Sequence, residues 1–480
     1  MAAFIQNSAV NSVGLEQQEF DFTEPGIPKQ IPINPDVNGN TTWTRAGHWD
    51  WYGGALAQDG IIYCPPYGET AILAINTKTK KAFTIEVSGV ISSDQTYGSF
   101  VAHPNGKLYG MPMDCGNVLE FDPINKSYSK FGSGSIPGRS GPLGGGTNLW
   151  SKGIVAPNGH IYCVPSNSNE ILKVDVYNRT ASVFGDTGYI GATPDTATGD
   201  TGNSKFCAGI LVGDKIYMIP NRANDSYIQG TDSPNQNWIV GIIDTTNDTI
   251  DTTSFKFGEN ELPQIDDNAA TPNNNGGVVP GVSTGSRVAT PFEGAVKGID
   301  GKIYCVPCDY PYICVIDPQT NTISRMSNTP LSGMVTGSGN STVFGYNDPN
   351  YGYRDQPVDC AILAANGKIY GYMDGFNVAR PTRPLANTML EIDTENATHR
   401  VIELPMTLDG DTYKNAFWFP CSVLGPDGGI YGIPYFQNFT NTDAGTPNNS
   451  SYGDMPCVWY PPSASLPAPW ILTSNQNGVF

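Results

Sequence analysis

The sequence predicts an all-β protein: a seven-bladed β-propeller of four-stranded antiparallel blades with an N-terminal extended arm. Two observations carry this. A phrase made of a turn pair, an aliphatic residue and a tyrosine recurs seven times, at Tyr63, Tyr109, Tyr162, Tyr217, Tyr304, Tyr370 and Tyr431. Glycine (55 residues) and proline (38) are plentiful and only 15% of residues are charged, a composition that suits many short strands and tight turns and leaves little room for long helices.

The first element is the arm, residues 1–41. It contains Gln, Asn and Pro but no repeat, cannot bury a core of its own, and is expected to lie extended and dock on something else. Residues 42–480 form the propeller. In each repeat the turn pair (Asp59-Gly60, Asn105-Gly106, Asn158-Gly159, Gly213-Asp214, Asp300-Gly301, Asn366-Gly367, Asp427-Gly428) reads as a two-residue hairpin from strand A to strand B. Proline follows three residues after the tyrosine, with Met373 the exception, and ends strand B because it has no N–H to donate.

Strand C follows as Ile72 to Ile75, Val118 to Phe121, Ile171 to Val174, Ile239 to Ile243, Ile313 to Ile316 and Met389 to Ile392. It closes on Asn76, Asp122, Asp175, Asp244, Asp317 or Asp393, which opens a second hairpin into strand D. The seventh repeat is the least regular; Cys457 to Tyr460 and Trp470 to Leu472 are its expected later strands. Solenoid repeats keep a steady period, whereas the gap from Tyr217 to Tyr304 is far wider than the others, which radial blades tolerate because each pairs internally.

In an up-and-down blade the A–B and C–D turns share one face of the disc, and the B–C loops and D-to-A crossings share the other. The A–B turns are short, so the first face is expected to be flat and plain. The long insertions, such as those between Tyr217 and Asp244 and between Ser327 and Pro357, all fall on the second face. Rigid scaffolds carry binding residues on such loops. The rings expected there are Tyr227, Trp238, Tyr310, Tyr312, Tyr346, Tyr351, Tyr353, Phe436 and Phe439; each stacks on a sugar or partner, or packs into a small loop core.

Charge and reactive side chains narrow the chemistry. The formal charge of -19 repels phosphate backbones, and no Lys/Arg cluster in the sequence offsets it, so neither nucleic acid nor an anionic membrane surface is expected as partner. The opening residues lack a basic region and apolar stretch, and no run of about 18 apolar residues occurs, so neither conventional secretion nor membrane insertion is expected. The ten cysteines include Cys305-Val-Pro-Cys308, but Cys64, Cys163 and Cys305 share one repeat position and Cys207, Cys360 and Cys421 another, which reads as buried free thiols. The four histidines hold unlike positions, so no His-dependent mechanism is expected. Glu293 and Asp359 hold the same register in neighbouring repeats, where two carboxylates at the channel mouth could take a metal, calcium being the expected cation; otherwise no cofactor is expected.

The units Asn105-Gly-Lys-Leu-Tyr-Gly-Met-Pro and Asp300-Gly-Lys-Ile-Tyr-Cys-Val-Pro resemble kelch-like and YVTN-type propeller repeats, and similar units occur in uncharacterised bacterial, phage and large-virus propellers. Departing from kelch, the chain lacks its regular Gly-Gly doublet, and no catalytic residue transfers. The resemblance, the arm and the reduced thiols together favour a virion structural or host-recognition protein, made in a host cytoplasm. Its expected partners are virion or assembly proteins through the arm, a host-surface glycan or receptor, and further copies of itself in a homo-oligomer. The rival readings are a propeller hydrolase, lactonase-like or glycan-cleaving, at Glu293 and Asp359, and a cytoplasmic kelch-like scaffold.

Overall fold

The computed structural model describes residues 29–31, 51–68, 70–87, 96–133, 136, 149–185, 205–221, 238–257, 277–278, 287–288, 291–308, 312–329, 331, 358, 360–373, 388–404, 419, 421–434 and 456–462. Seven four-stranded antiparallel sheets and the turns that join their strands account for most of them, with one further two-stranded pairing of Gly277–Val278 with Arg287–Val288, and no helix occurs among the described residues. In order A to D, blade 1 comprises Ala55–Leu56, Ile61–Cys64, Ala71–Asn76 and Lys81–Glu86. Blade 2 comprises Tyr97–Ala102, Leu108–Pro112, Val118–Asp122 and Ser127–Phe131, and blade 3 Trp150–Val155, Ile161–Pro165, Ile171–Asp175 and Thr180–Phe184. Blade 4 comprises Phe206–Val212, Lys215–Pro220, Gly241–Asp244 and Thr249–Asp251, and blade 5 Phe292–Lys297, Ile303–Pro307, Cys314–Asp317 and Thr322–Arg325. Blade 6 comprises Ile362–Leu363, Ile369–Met373, Thr388–Asp393 and Thr398–Glu403.

Blade 7 departs from the expected order. Its strands A to C are Cys421–Leu424, Ile430–Ile433 and Cys457–Trp459, but its outermost strand is Lys29–Gln30, from the other end of the chain. Lys29 pairs with Val458 and Gln30 with Cys457, the Ile31 amide bonds the Pro456 carbonyl at 2.8 Å, and the Ile31 side chain is buried between blades 7 and 1. Trp470 to Leu472 lie outside the described residues. This stretch of the arm therefore docks on the propeller itself, where it hydrogen-bonds the first part of the chain to the last.

The ring closes by packing as well. Each of the seven apolar clusters lies between two successive blades, the last joining blade 7 to blade 1. Alternate residues of one strand serve opposite neighbours: Ile303 and Cys305 pack towards blade 4, Tyr304 and Val306 towards blade 6. A sheet buried on both faces explains why strand B reads as a continuous apolar run rather than an alternating one.

The A–B turns differ from expectation in six blades. In blade 1 the Gly60 amide bonds the Ala57 carbonyl at 3.1 Å and the Ala57 amide bonds the Ile61 carbonyl at 2.9 Å, a turn ended by Gly60 at φ 77°. Asp59 keeps negative φ and works through its side chain instead: its carboxylate accepts from the Ile61 amide at 3.1 Å and the Tyr63 hydroxyl at 2.8 Å. Asp300 and Asp427 likewise accept from the tyrosine hydroxyl four residues on, whereas Asn105, Asn158 and Asn366 join the same pair of positions by donating their side-chain amides to the tyrosine oxygen. In blade 4 alone the turn has two residues: Val212 pairs with Lys215 across Gly213-Asp214. That shorter turn moves Cys207 out of register, so Ala208, not Cys207, matches Cys360 and Cys421.

A further repeat position lies twelve residues before the tyrosine, or eleven in blade 4: Trp51, Tyr97, Trp150, Phe206, Phe292, Val358 and Phe419, all buried. Where its pairing is resolved it meets the repeat proline, as Trp150 meets Pro165 and Phe292 meets Pro307. Val358, its one non-aromatic member, meets Met373, the one non-proline. Blade 6 thus changes both partners of the pair. Because Met373 keeps its amide, its strand continues two pairs further along strand C, to Thr388, than strand B of blade 5 does.

Candidate binding face and channel mouth

Every connection that passes outside the described residues between 51 and 462 is a B–C loop or D-to-A crossing, or lies at the start of a strand A, so all of them belong to one face. Here each strand A enters the ring. In blades 3, 4 and 5 the pairing slips one residue after the aromatic, between Trp150 and Lys152, Phe206 and Ala208, and Phe292 and Gly294. Cys207 and Glu293 are the extra residues of the last two of these bulges, a device that re-aims a side chain at the end of a strand.

Glu293 is half-buried, and its carboxylate accepts a 2.6 Å hydrogen bond from the Asn221 amide, which also bonds the Phe292 carbonyl at 3.0 Å. Asn221 is buried directly after Pro220, so Glu293 of blade 5 is held by blade 4. Lys205, 4% exposed, caps the Asn167 and Ser168 carbonyls of blade 3 at 3.0 Å each, and Lys152 reaches from blade 3 to the Cys207 carbonyl at 3.1 Å. Burial, and next the Glu293 carboxylate, push the Cys207 thiol up, with Lys152 opposing. The result is a carboxylate held by a side-chain amide of the neighbouring blade and two ammonium groups held by backbone carbonyls.

Lys152, Lys205 and Asn221 were not singled out in the sequence. A signal for Lys152 was present. Its repeat position otherwise holds Gly53, Ser99, Ala208, Gly294, Cys360 and Cys421, small because neighbouring A strands meet there: a Cβ on Gly53 would come within 2.8 Å of the Ser99 Cβ. A lysine among such residues must send its head elsewhere.

Of the expected rings, two are described. Trp238 is 1% exposed and packs with Phe257 and Phe292 in the cluster between blades 4 and 5, so it is a core ring rather than a ligand-facing one. Tyr312 is partly buried against the same cluster, with the Arg325 guanidinium 4.5 Å from its ring centre. Tyr227, Tyr310, Tyr346, Tyr351, Tyr353, Phe436 and Phe439 lie outside the described residues, as does Asp359, the expected companion of Glu293. Among the described residues no three His, Cys, Asp or Glu side chains gather as a metal site. All ten cysteines are buried and none forms a disulfide, Cys305 and Cys308 included.

No protein-family model and no curated protein matches the chain. Solved structures do resemble it: a streptogramin B lyase at 12% identity over 90% of this chain and 96% of that one, with a TM-score of 0.48. A catalytically inactive virginiamycin B lyase from Staphylococcus aureus, with quinupristin, shares 12% identity over 86% of this chain and 96% of that one at a TM-score of 0.46. The WD40 repeats of RRP9 share 7% identity over 91% and 98%, at a TM-score of 0.49. Their activities are not carried over to this chain.

Proposed function

We propose that this propeller is a binding and assembly component displayed on a phage or virus particle, and that it meets a host-surface glycan or receptor through the face that carries its long insertions. One observation supports the reading most: the variable length of the chain is confined to one end of seven uniform blades, while all the A–B turns and the six C–D turns stay short. Insertions tolerated on one side of a closed ring alter a contact surface without disturbing the core beneath it. Tyr351 and Tyr353 fall in one such insertion, and aromatic rings suit stacking on the faces of sugars. Ten buried cysteines that form no disulfide fit a chain that folds in a reducing compartment, as a host cytoplasm is.

Tyr351→Ala with Tyr353→Ala should abolish or strongly weaken attachment of the purified protein to host cells while leaving its thermal midpoint in place. Attachment at the wild-type level would remove this face from the proposal, and mass spectrometry of purified particles lacking the chain would remove the virion. Glu293, held by Asn221 at 2.6 Å, favours the hydrolase as second reading; loss of a glycan- or lactone-cleaving activity in Glu293→Gln, with attachment unchanged, would decide for it.

A further inference from the structure

The face of the short turns was expected to be plain, and it is not. Among the described residues three large apolar side chains stand exposed, Ile124 at 78%, Tyr177 at 67% and Ile299 at 56%, and all three are on turns of this face. Ile124 and Tyr177 occupy the same position of the C–D turns in adjacent blades, two residues after Asp122 and Asp175. Around them stand Lys78, Lys80, Lys81, Lys107, Lys126 and Arg179, from turns of blades 1 to 3. In the sequence these cations are scattered from position 78 to position 179; the ring brings them to one sector.

The carboxylates of this sector are engaged locally, Asp59 by Lys126 at 3.2 Å. Asp122 accepts from the Ile124 and Asn125 amides of its own turn, and Asp175 from those of Tyr177 and Asn178. Glu120, 7% exposed, sits beneath Lys107 at 2.9 Å and Arg179 at 2.7 Å. Ile124, Tyr177, Lys78 and Lys81 are therefore exposed together in a chain whose net charge is -19, beside Lys126 and Arg179, whose heads are paired to Asp59 and Glu120.

The chain itself supplies a complementary segment. Residues 1–28 contain Glu16, Glu19, Asp21 and Glu24, no lysine or arginine, and the apolar side chains Phe4, Ile5, Leu15, Phe20 and Phe22. Their point of departure is fixed. Lys29–Gln30 runs antiparallel to strand C of blade 7, with Ile31 beside Pro456 on the insertion face, so Lys29 is at the short-turn end. The preceding residues leave from the edge where the other blades carry their C–D turns, next to blade 1, whose Lys80 bridges to Asp427 of blade 7. A segment of this length reaches up to about 90 Å when extended, at some 3.3 Å per residue, enough to cross the disc. Tethering it there keeps its effective concentration high.

We propose that residues 1–28 dock on the short-turn face of their own propeller, laying acidic and apolar side chains over the sector that carries Ile124, Tyr177, Lys78, Lys81, Lys126 and Arg179. Surface burial and opposite charge drive the contact, which weakens as salt rises. It leaves the insertion face open.

The test is zero-length carbodiimide cross-linking of the full chain, read by mass spectrometry, on an equal mixture of nitrogen-14 and nitrogen-15 protein. Links from Glu16, Glu19, Asp21 or Glu24 to Lys78, Lys81 or Lys126, within single copies and lost in the triple variant Ile124→Ser, Lys78→Glu, Lys81→Glu, are the expected result. These three side chains are exposed, so an unchanged thermal midpoint confirms that the variant folds. Links that join differently labelled copies would overturn docking within one chain in favour of exchange between copies. Links that avoid this sector, or survive the triple variant, would overturn the site itself. Either failure leaves the attachment test of the insertion face unaffected.

Discussion

Lys80 has positive φ, as do Lys126, Arg179, Asp248, Asn321 and Ala397, each four residues after the Asx that closes strand C. Glycine is the residue that takes this conformation freely, and an ordinary side chain costs roughly 1–2 kcal/mol there. Four of the six offset it by reaching into the preceding blade. Lys126 meets Asp59 and lies 4.7 Å from the Tyr63 ring centre, Arg179 meets Glu120, and Asp248 accepts from the Tyr162 hydroxyl at 2.6 Å. Lys80 does the same across the join of the ring, bonding Asp427 and, at 2.5 Å, the Tyr431 hydroxyl. The Asp427 side chain is 1% exposed and also accepts from the Tyr431 and Tyr460 hydroxyls at 2.7 Å each, whereas that of Lys80 is 36% exposed. Asp427→Ala strands two hydroxyls and an ammonium group and should lower the unfolding free energy by about 3 kcal/mol; Lys80→Ala, with its head partly in water, by about 1 kcal/mol. Urea unfolding checks both, and the reverse order would refute this account. The tyrosine and its Asx partner were legible because the same residue types recur. The clasp was not, since Lys, Arg, Asp, Asn and Ala all hold that position.

Strands show where a repeating residue had more than one use. Asx-Gly reads as a two-residue hairpin, yet in six blades the Asx side chain ties the tyrosine and only the glycine supplies the turn. A pair of letters does not reveal which of two backbone geometries it serves, and the distance to the next strand decides. Blade 6 shows the opposite case, in which an apparent flaw has a function. Met373 bonds along both of its neighbours, meeting Val358 on one side and Thr388 on the other. Met373→Pro would match the other repeats but remove an amide from the extended B–C ladder. It should destabilise the protein by about 1–3 kcal/mol despite restoring the consensus, measured by denaturant unfolding. A neutral or stabilising result would mean that this ladder contributes nothing.

At the scale of the whole molecule, the blades share one response to pH. The repeat tyrosine is raised above its ordinary value by burial in all seven blades, Tyr109 to about 12, and burial also raises Cys115 and Cys457 to about 12. A raised pKa means that the folded chain holds protons which the unfolded chain releases. Stability from these groups is complete below their unfolded values, about 8.5 for thiols and 10 for phenols, and is lost as pH climbs towards the folded ones. The thermal midpoint should therefore fall progressively between about pH 9 and 11; a constant midpoint across that range would exclude the linkage. Much of this architecture was readable in advance, because blade, strand and turn are local and repeat: seven tyrosines, their turn residues and the prolines mark strands A and B, and the Asx residues mark the end of strand C. What closes the ring was not readable. The outer strand of blade 7 comes from Lys29–Gln30, the cations of blades 1 to 3 gather far from one another in sequence, and Asn221 meets Glu293 only across a blade boundary. Local periodicity specifies which residues pair with near neighbours along the chain. Contacts made once, between distant segments, leave no period to read and exist only after the ring has brought them together.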